Sequence, residues 1–155
     1  MARRTDRPLL AALLGGLSPE SAYARFLTGM ASPPSARVLD ALLPQPPTGR
    51  ALLASLDGEL VGHALWARTA PTTAEIALVV ADRHQRRGIG TALATAVTDD
   101  LTAHGLTGVE VFATTTNRAV VRMVANAAPD ARRLLDGPTS TWSFPARGRA
   151  QQRTA

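Results

Sequence analysis

Six consecutive residues, Gln85-Arg86-Arg87-Gly88-Ile89-Gly90, carry the clearest chemistry in the chain. Gly88 and Gly90 let a ligand approach the backbone closely, Arg86 and Arg87 bring positive charge, and Thr91 adds a hydroxyl donor one residue later. The residues on either side say where this loop sits. Before it, Glu75 to Ala81 is a run of Ile, Leu and Val with little polar content, as in a strand buried on both faces. After it, Ile89, Leu93, Ala96, Val97 and Leu101 recur at helical spacing, with Asp99, Asp100 and His104 on other faces and Gly105 to end the helix. The loop therefore delivers its ligand to the first turn of a helix, where backbone N–H groups lack partners and the macrodipole is positive. A plain strand-to-helix turn would need the glycines alone. The two arginines and Thr91 favour an anion, and a phosphate group is the natural one.

Two familiar phosphate sites do not fit. A P-loop needs Gly-Lys-Ser/Thr, and the chain has no lysine. A dinucleotide fingerprint needs a third glycine where Leu93 stands, and although Glu110 lies at the distance of a ribose-binding acid, the chain has no room for the rest of that fold. Metal chemistry is not indicated either. There is no cysteine, and His63, His84 and His104 lack zinc-like spacing.

The elements that must hold the loop follow from the chain in order. Asp6-Arg7-Pro8 opens a helix with Leu9, Leu10, Leu13, Leu14 and Leu17 on a broad apolar face, ended by Gly15-Gly16. Ser18-Pro19-Glu20 opens a second helix carrying Ala22, Tyr23, Phe26 and Leu27 up to Gly29. Ala36 to Leu43 is a third, stopped by Pro44, and Pro44 to Arg50 is a loop. Ala51 to Leu56 and Glu59 to Arg68 form a hairpin about Asp57-Gly58, and Thr69 to Thr73 loops into the central strand. Beyond the loop and its helix come a strand at Gly108 to Ala113, a helix at Asn117 to Asn126 capped by Asn117, and a closing hairpin. Its arms are Ala131 to Leu135 and Thr139 to Phe144, joined at Asp136-Gly137. Residues 1–145 are expected to make one domain, and the polar, arginine-bearing residues 146–155 a disordered tail.

Bulk properties agree with one domain: 155 residues, 45% hydrophobic, with a mean hydropathy of +0.01. The apolar N-terminal run is too short to span a membrane and is better explained as a helix of the fold than as a signal peptide, so a cytoplasmic protein is expected. All 17 basic residues are arginine and the net charge is +5, but they are scattered and aromatics are 4%. No helix carries a basic stripe with aromatics between, which argues against nucleic acid. The charge suits anionic ligands in general.

The pattern Gln/Arg-x-x-Gly-x-Gly/Ala is met in full by residues 85–90, and its place between a buried strand and an amphipathic helix resembles the GCN5-related N-acetyltransferases (the GNAT superfamily). The order of elements is similar to that family over nearly the whole chain. The resemblance implies an α/β (α+β) GNAT fold: a central mixed, mostly antiparallel twisted sheet flanked by helices. Its first strand is short or missing here, since only Met1 to Thr5 precedes the first helix. The segment Leu17-Ser18-Pro19-Glu20-Ser21-Ala22-Tyr23-Ala24-Arg25-Phe26 resembles the Pat-type protein lysine acetyltransferases more narrowly. So do Ala74-Glu75-Ile76-Ala77 and Asn117-Arg118.

What the resemblance implies is acetyl-CoA as cosubstrate, its pyrophosphate held by Gln85, Arg86, Arg87, Gly88, Ile89, Gly90 and Thr91, with no metal. Backbone N–H groups around Leu78, Val79 and Val80 would receive the acetyl oxygen, and Asn117 would cap its helix and touch the cofactor. The acceptor would be a primary amine, a protein lysine or a small molecule. A lysine ammonium has a pKa of about 10.4, so a general base must take its proton. The Pat-type resemblance puts that base at Glu75; a solvated strand-edge glutamate is the other reading, and Glu110 is a second candidate. Many members place a tyrosine where Val124 stands, to protonate the leaving thiolate, and Ala125 to Pro129 replaces their usual Gly-Phe. Without cysteine, transfer would be direct. Tyr23, Trp66 and Trp142 read as packing residues and Glu59 as structural. A non-catalytic acyl-CoA-binding sensor or interaction module is the alternative, and a sheet edge left by the absent first strand leaves a homodimer open.

Overall fold

The computed structural model describes residues 2–28 and 33–147. Three helices come first, α1 (Arg7–Gly15), α2 (Pro19–Phe26) and α3 (Ala36–Ala41). Then follow β1 (Gly49–Leu56), β2 (Glu59–Ala70), β3 (Thr73–Val80), α4 (Ile89–Ala103), β4 (Gly108–Thr114), α5 (Arg118–Ala127), β5 (Arg132–Asp136) and β6 (Thr139–Pro145). The strands form one mixed sheet in the order β1-β2-β3-β4-β6-β5, antiparallel except where β3 meets β4. This is the expected architecture. No strand precedes β1 among the described residues; only the Ala2 N–H reaches the Ala51 carbonyl, at 3.0 Å.

Local chemistry sets the element ends. Ser18 Oγ accepts from the Ser21 N–H at 3.2 Å and Asn117 Oδ1 from the Val120 N–H at 3.2 Å, so these expected caps are made. Asp6, expected to cap α1, makes no cap bond because its carboxylate takes the Arg3 N–H instead. Gly105 takes φ +76 just past α4, the left-handed turn that a helix stop requires. Several boundaries differ from expectation. Gly49 and Arg50, expected in a loop, begin β1 because they pair with Ala67 and Trp66. Asp136, expected in the closing turn, pairs with Thr139 and leaves Gly137-Pro138 to turn the chain. Thr69 and Ala70 belong to β2, not to a loop, because Ala70 pairs with Thr73 and leaves only Pro71-Thr72 to turn the chain. At the other end β6 runs through Pro145, and buried Ala146 donates its N–H to the Thr107 carbonyl at 2.8 Å. The rest of the expected tail, 148–155, lies outside the described residues, as does Gly29.

Side chains alternate across the sheet, so each face has its own core. Leu10, Leu13, Leu14, Leu39 and Leu43 of the N-terminal helices pack on Ala51, Leu65 and Val79 on one face. Leu93, Val97 and Leu101 of α4 pack on Ala64, Trp66, Ala74 and Ile76 on the other. A smaller cluster, Ala113, Val124 and Trp142, seats α5. Trp66 is fully buried and Trp142 nearly so, as expected of packing residues, but Tyr23 is 55% exposed. It projects from α2 into solvent, and Phe26 is the residue of that helix packed against the core.

Candidate functional site

β3 and β4 are parallel for only three pairs, Thr73 with Gly108, Ala74 with Val109 and Glu75 with Glu110. Beyond Glu75 they part: β3 continues to Val80 beside β2, while β4 continues to Thr114 beside β6. A wedge therefore opens in the middle of the sheet, starting at Glu75. The Ala81 N–H bonds the Val61 carbonyl at 2.9 Å. Alternation from that bond turns the Val79 N–H toward β2 and those of Leu78 and Val80 toward the wedge. Of the three expected backbone donors, two face the gap and Val79 belongs to the ladder.

The glycine loop closes the wide end of the wedge. Gly88, at φ +82, is the N-cap of α4, and a side chain there would be strained in the left-handed region. Arg86 also lies there, at φ 57. The Ala92 N–H takes the Gly88 carbonyl, so the amides of Ile89, Gly90 and Thr91 come before the first helical bond and are open to a ligand. Gly90 looks into the wedge: a Cβ there would meet Met123 Cε at 3.5 Å and Val80 Cγ2 at 3.8 Å. The arginines are exposed, and Arg87 contacts His84 Nδ1 at 3.0 Å. This donor set, helix amides plus guanidinium groups around glycines, suits a pyrophosphate. Gln85 has a different task. Its amide donates to Ser21 Oγ at 3.0 Å and to the Val80 carbonyl at 3.1 Å, fastening the loop to α2 and β3. Asn117 is held as a cap, with its Oδ1 committed to Val120.

At the narrow end, Glu75 and Glu110 sit side by side in register on the face toward α2. Glu75 is half-buried, and its carboxyl is pushed above the ordinary range by burial. Arg25 pulls it back down and Glu110 adds to the rise. Arg25 is partly buried against the same face. Burial lowers its pKa to about 10, with Glu75 opposing, and its Nε is buried without a hydrogen-bond partner. Thr69 Oγ1 donates to Glu110 Oε2 at 3.0 Å. Beside Glu110 lies an open cleft of about 400 Å³ bounded by Thr73, Gly108, Ser143 and Arg132. Phe112, two residues along β4 on the same face, is 47% exposed.

Sequence reasoning missed two contributions. Arg25 was visible only as a letter in a motif. Asp82 accepts from the Ser18 N–H at 2.9 Å, Ser18 Oγ at 2.8 Å and Ser21 Oγ at 2.6 Å. Its slight burial would raise its pKa, but those bonds outweigh it and hold the carboxyl below the usual range. Glu59, expected to be structural, pairs with Arg83 of the same loop region. Val124 is buried against Ala113 and Trp142, with no proton to give. No cluster able to hold a metal occurs among the described residues.

Residues 20–126 match the model of the acetyltransferase (GNAT) family. No curated protein matches the sequence. Among solved structures, the GNAT domain of Streptomyces (S. lividans) PAT superposes with a TM-score of 0.81 at 21% identity, over 91% of this chain and 85% of that one. The ribosomal-protein-S18-alanine N-acetyltransferase of Escherichia coli gives 0.69 at 16% identity, over 94% and 90%. YncA of Salmonella typhimurium, a putative acetyltransferase solved with its cofactor acetyl-CoA, gives 0.67 at 14% identity, over 96% and 93%. At these identities the likeness is one of fold.

Proposed function

The chain belongs to the acetyltransferase (GNAT) family, and from that premise we propose that it moves the acetyl group of acetyl-CoA directly to a primary amine, with Glu75 as general base. One observation carries this reading: the wedge between β3 and β4 begins at Glu75 and ends at the N-terminus of α4. The five steps from Glu75 to Val80 span about 17 Å of extended strand. That leaves length for an extended arm between a pyrophosphate at Gly88–Thr91 and a thioester beside Glu75.

When bound, acetyl-CoA supplies a thioester carbonyl activated for attack. The protein's part is to place it and to manage one proton. The loop amides, Arg86 and Arg87 hold the pyrophosphate; the Leu78 and Val80 amides steady the arm and the carbonyl oxygen. Glu75 accepts the proton of the incoming ammonium, directly or through a water. Burial raises its basicity above that of a surface glutamate. Arg25 keeps the carboxylate charged despite the neighbouring Glu110. The departing thiolate, with a pKa near 8.5 if it resembles cysteine, leaves without an acid at position 124. Two carboxylates beside an open cleft favour a cationic amine, the side chain of a protein lysine or a small amine. We place the reaction in the cytoplasm, where this cosubstrate is made available.

The test is calorimetric titration of acetyl-CoA into the wild type and Gly88→Glu, followed by CoA release with a panel of amines and lysine peptides. Saturable binding lost in Gly88→Glu, and turnover lost in Glu75→Gln with binding retained, support the proposal. Glu75→Gln should cost about 10²–10⁴ in kcat. Binding without turnover by any acceptor would favour a non-catalytic acyl-CoA-binding module. Absence of binding would reject both.

A further inference from the structure

The sheet ends at β5, and nothing among the described residues covers it. All five residues, Arg132-Arg133-Leu134-Leu135-Asp136, are exposed, and Leu134 and Leu135 on opposite faces are each 62% accessible. A bare edge with an apolar residue on either face is a template for another strand.

The edge has a defined pattern of free backbone groups. Asp136 and Thr139 flank the two-residue turn Gly137-Pro138, and such a flanking pair is hydrogen-bonded. Arg132, Leu134 and Asp136 therefore turn their N–H and C=O groups inward to β6, and Arg133 and Leu135 turn theirs outward. An antiparallel partner of the same sequence can pair Arg133 with Arg133, Leu135 with Leu135, or Arg133 with Leu135. The first sets two arginines against each other. The second leaves Asp136 facing a leucine and Arg133 facing the turn. The third sets Leu134 on the two-fold axis against its own copy and brings Arg132 opposite Asp136 on both sides. Arg132 and Asp136 make no ion pair within the described residues. Arg133 is already committed to its own flank, lying 4.9 Å over the Trp142 ring and donating to Ser140 Oγ at 3.0 Å.

We propose that β5 is a self-association edge. Two copies of the chain pair β5 antiparallel in the register that opposes Leu134 to the partner's Leu134, and Arg132 to the partner's Asp136. The two six-stranded sheets become one continuous sheet. The occupant is a second copy because the segment is complementary to itself in the register its own hydrogen-bonding groups permit. Arg132 also bounds the cleft beside Glu110, so pairing fixes one wall of the face that carries Glu75. The inference rests on the edge alone and stands apart from the catalytic reading.

The absence of native cysteine makes the test direct. Leu134→Cys and Leu135→Cys are equally exposed probes. In this register two copies of residue 134 form a non-hydrogen-bonded pair with Cα atoms about 4.5 Å apart, within disulfide reach. Two copies of residue 135 lie diagonally about 7–8 Å apart and out of reach. Mild oxidation should give a covalent dimer from Leu134→Cys alone. In sedimentation equilibrium the full chain should reach twice its monomer mass. Arg132→Asp and Asp136→Arg should each weaken the dimer, and the combined variant should restore it. A wild type that stays monomeric at every concentration, equal cross-linking at both positions, or no rescue by the combined variant would overturn the proposal.

Discussion

Lowering the pH should destabilise this fold through one residue, His63. Its ring is fully buried on β2. Nε2 lies 2.8 Å from the Leu42 carbonyl, which can only accept, so Nε2 carries the proton of a neutral ring. Nδ1 is buried and has no partner. The pKa is lowered from 6.5 to about 4: burial drives it down, the Leu42 bond opposes, and the Arg25 charge adds to the fall. Below 6.5 the unfolded chain takes up a proton that the fold refuses, so the unfolded state gains and stability drops as pH falls. The loss begins near the unfolded pKa and is complete below the folded one. At 1.36 kcal/mol per unit this shift comes to about 3 kcal/mol in full, of which about 2 is lost by pH 5. Against a total of about 5–15 kcal/mol for a domain, that is easily measured. Urea unfolding of the wild type and His63→Gln at about pH 7.5 and pH 5 isolates it, since glutamine keeps a donor for Leu42 but does not titrate. The variant loses some stability at both pH values through altered packing; only the difference between them counts. Glu75 titrates alike in both proteins and cancels. Equal losses on acidification would refute the assignment.

Three further outcomes follow from the site. The acid limb of kcat/KM should lie above the ordinary glutamate pKa of about 4.3, because burial raises Glu75. Arg25→Met removes the opposing charge and should move that limb higher, whereas Glu110→Gln should move it lower; a pH–rate profile of each variant checks the signs. Gly88→Ala forces an L-residue to φ +82 at a cost of roughly 1–2 kcal/mol. It should lower Tm and weaken acetyl-CoA binding in calorimetry. Asp82→Ala removes the acceptor for three hydrogen bonds from Ser18 and Ser21. Amide exchange at Glu20, Ser21 and Ala22 should then quicken, while β1 and β2 exchange as before.

Those features legible in the sequence were local ones. The strand, glycine loop and helix from 75 to 105 were readable because each carries its own period and its own stop. The caps at Ser18 and Asn117 and the Asp57-Gly58 turn were readable for the same reason. Contacts between distant segments left no such trace. Asp82 lies 64 residues from Ser18, and Trp66 gives its indole N–H to Asp100, 34 residues away, at 2.7 Å. Asp100 reads only as lying off the apolar face of its helix; the structure turns it to Trp66 and to Arg50, 3.5 Å away. The pairing of Glu75 with Glu110 needed strand register, which no single strand encodes. The boundary at Thr69 failed because a strand can continue through polar residues when its partner holds it.

Helix α2 links the two halves of the site. Its N-terminus is held by Asp82, which follows directly on the end of the wedge strand, and Ser21 of its first turn takes the Gln85 amide. One turn on from Ser21, the same helix carries Arg25, whose charge bears on Glu75. Glu20 near its start and Arg25 near its end complement its dipole, but at eight residues it is too short to be stable alone. Its position is therefore set by what it touches, the loop at one end and the carboxylate face at the other. Arg25 Nε has no hydrogen-bond partner and the Arg25 charge lowers the Glu75 pKa, so a shift of that guanidinium is expected to change the pKa of Glu75. On the proposed function this arrangement predicts that cofactor binding shifts the pKa of Glu75: the pH–rate profile for kcat should be displaced from that for kcat/KM, and coincident profiles would refute the link.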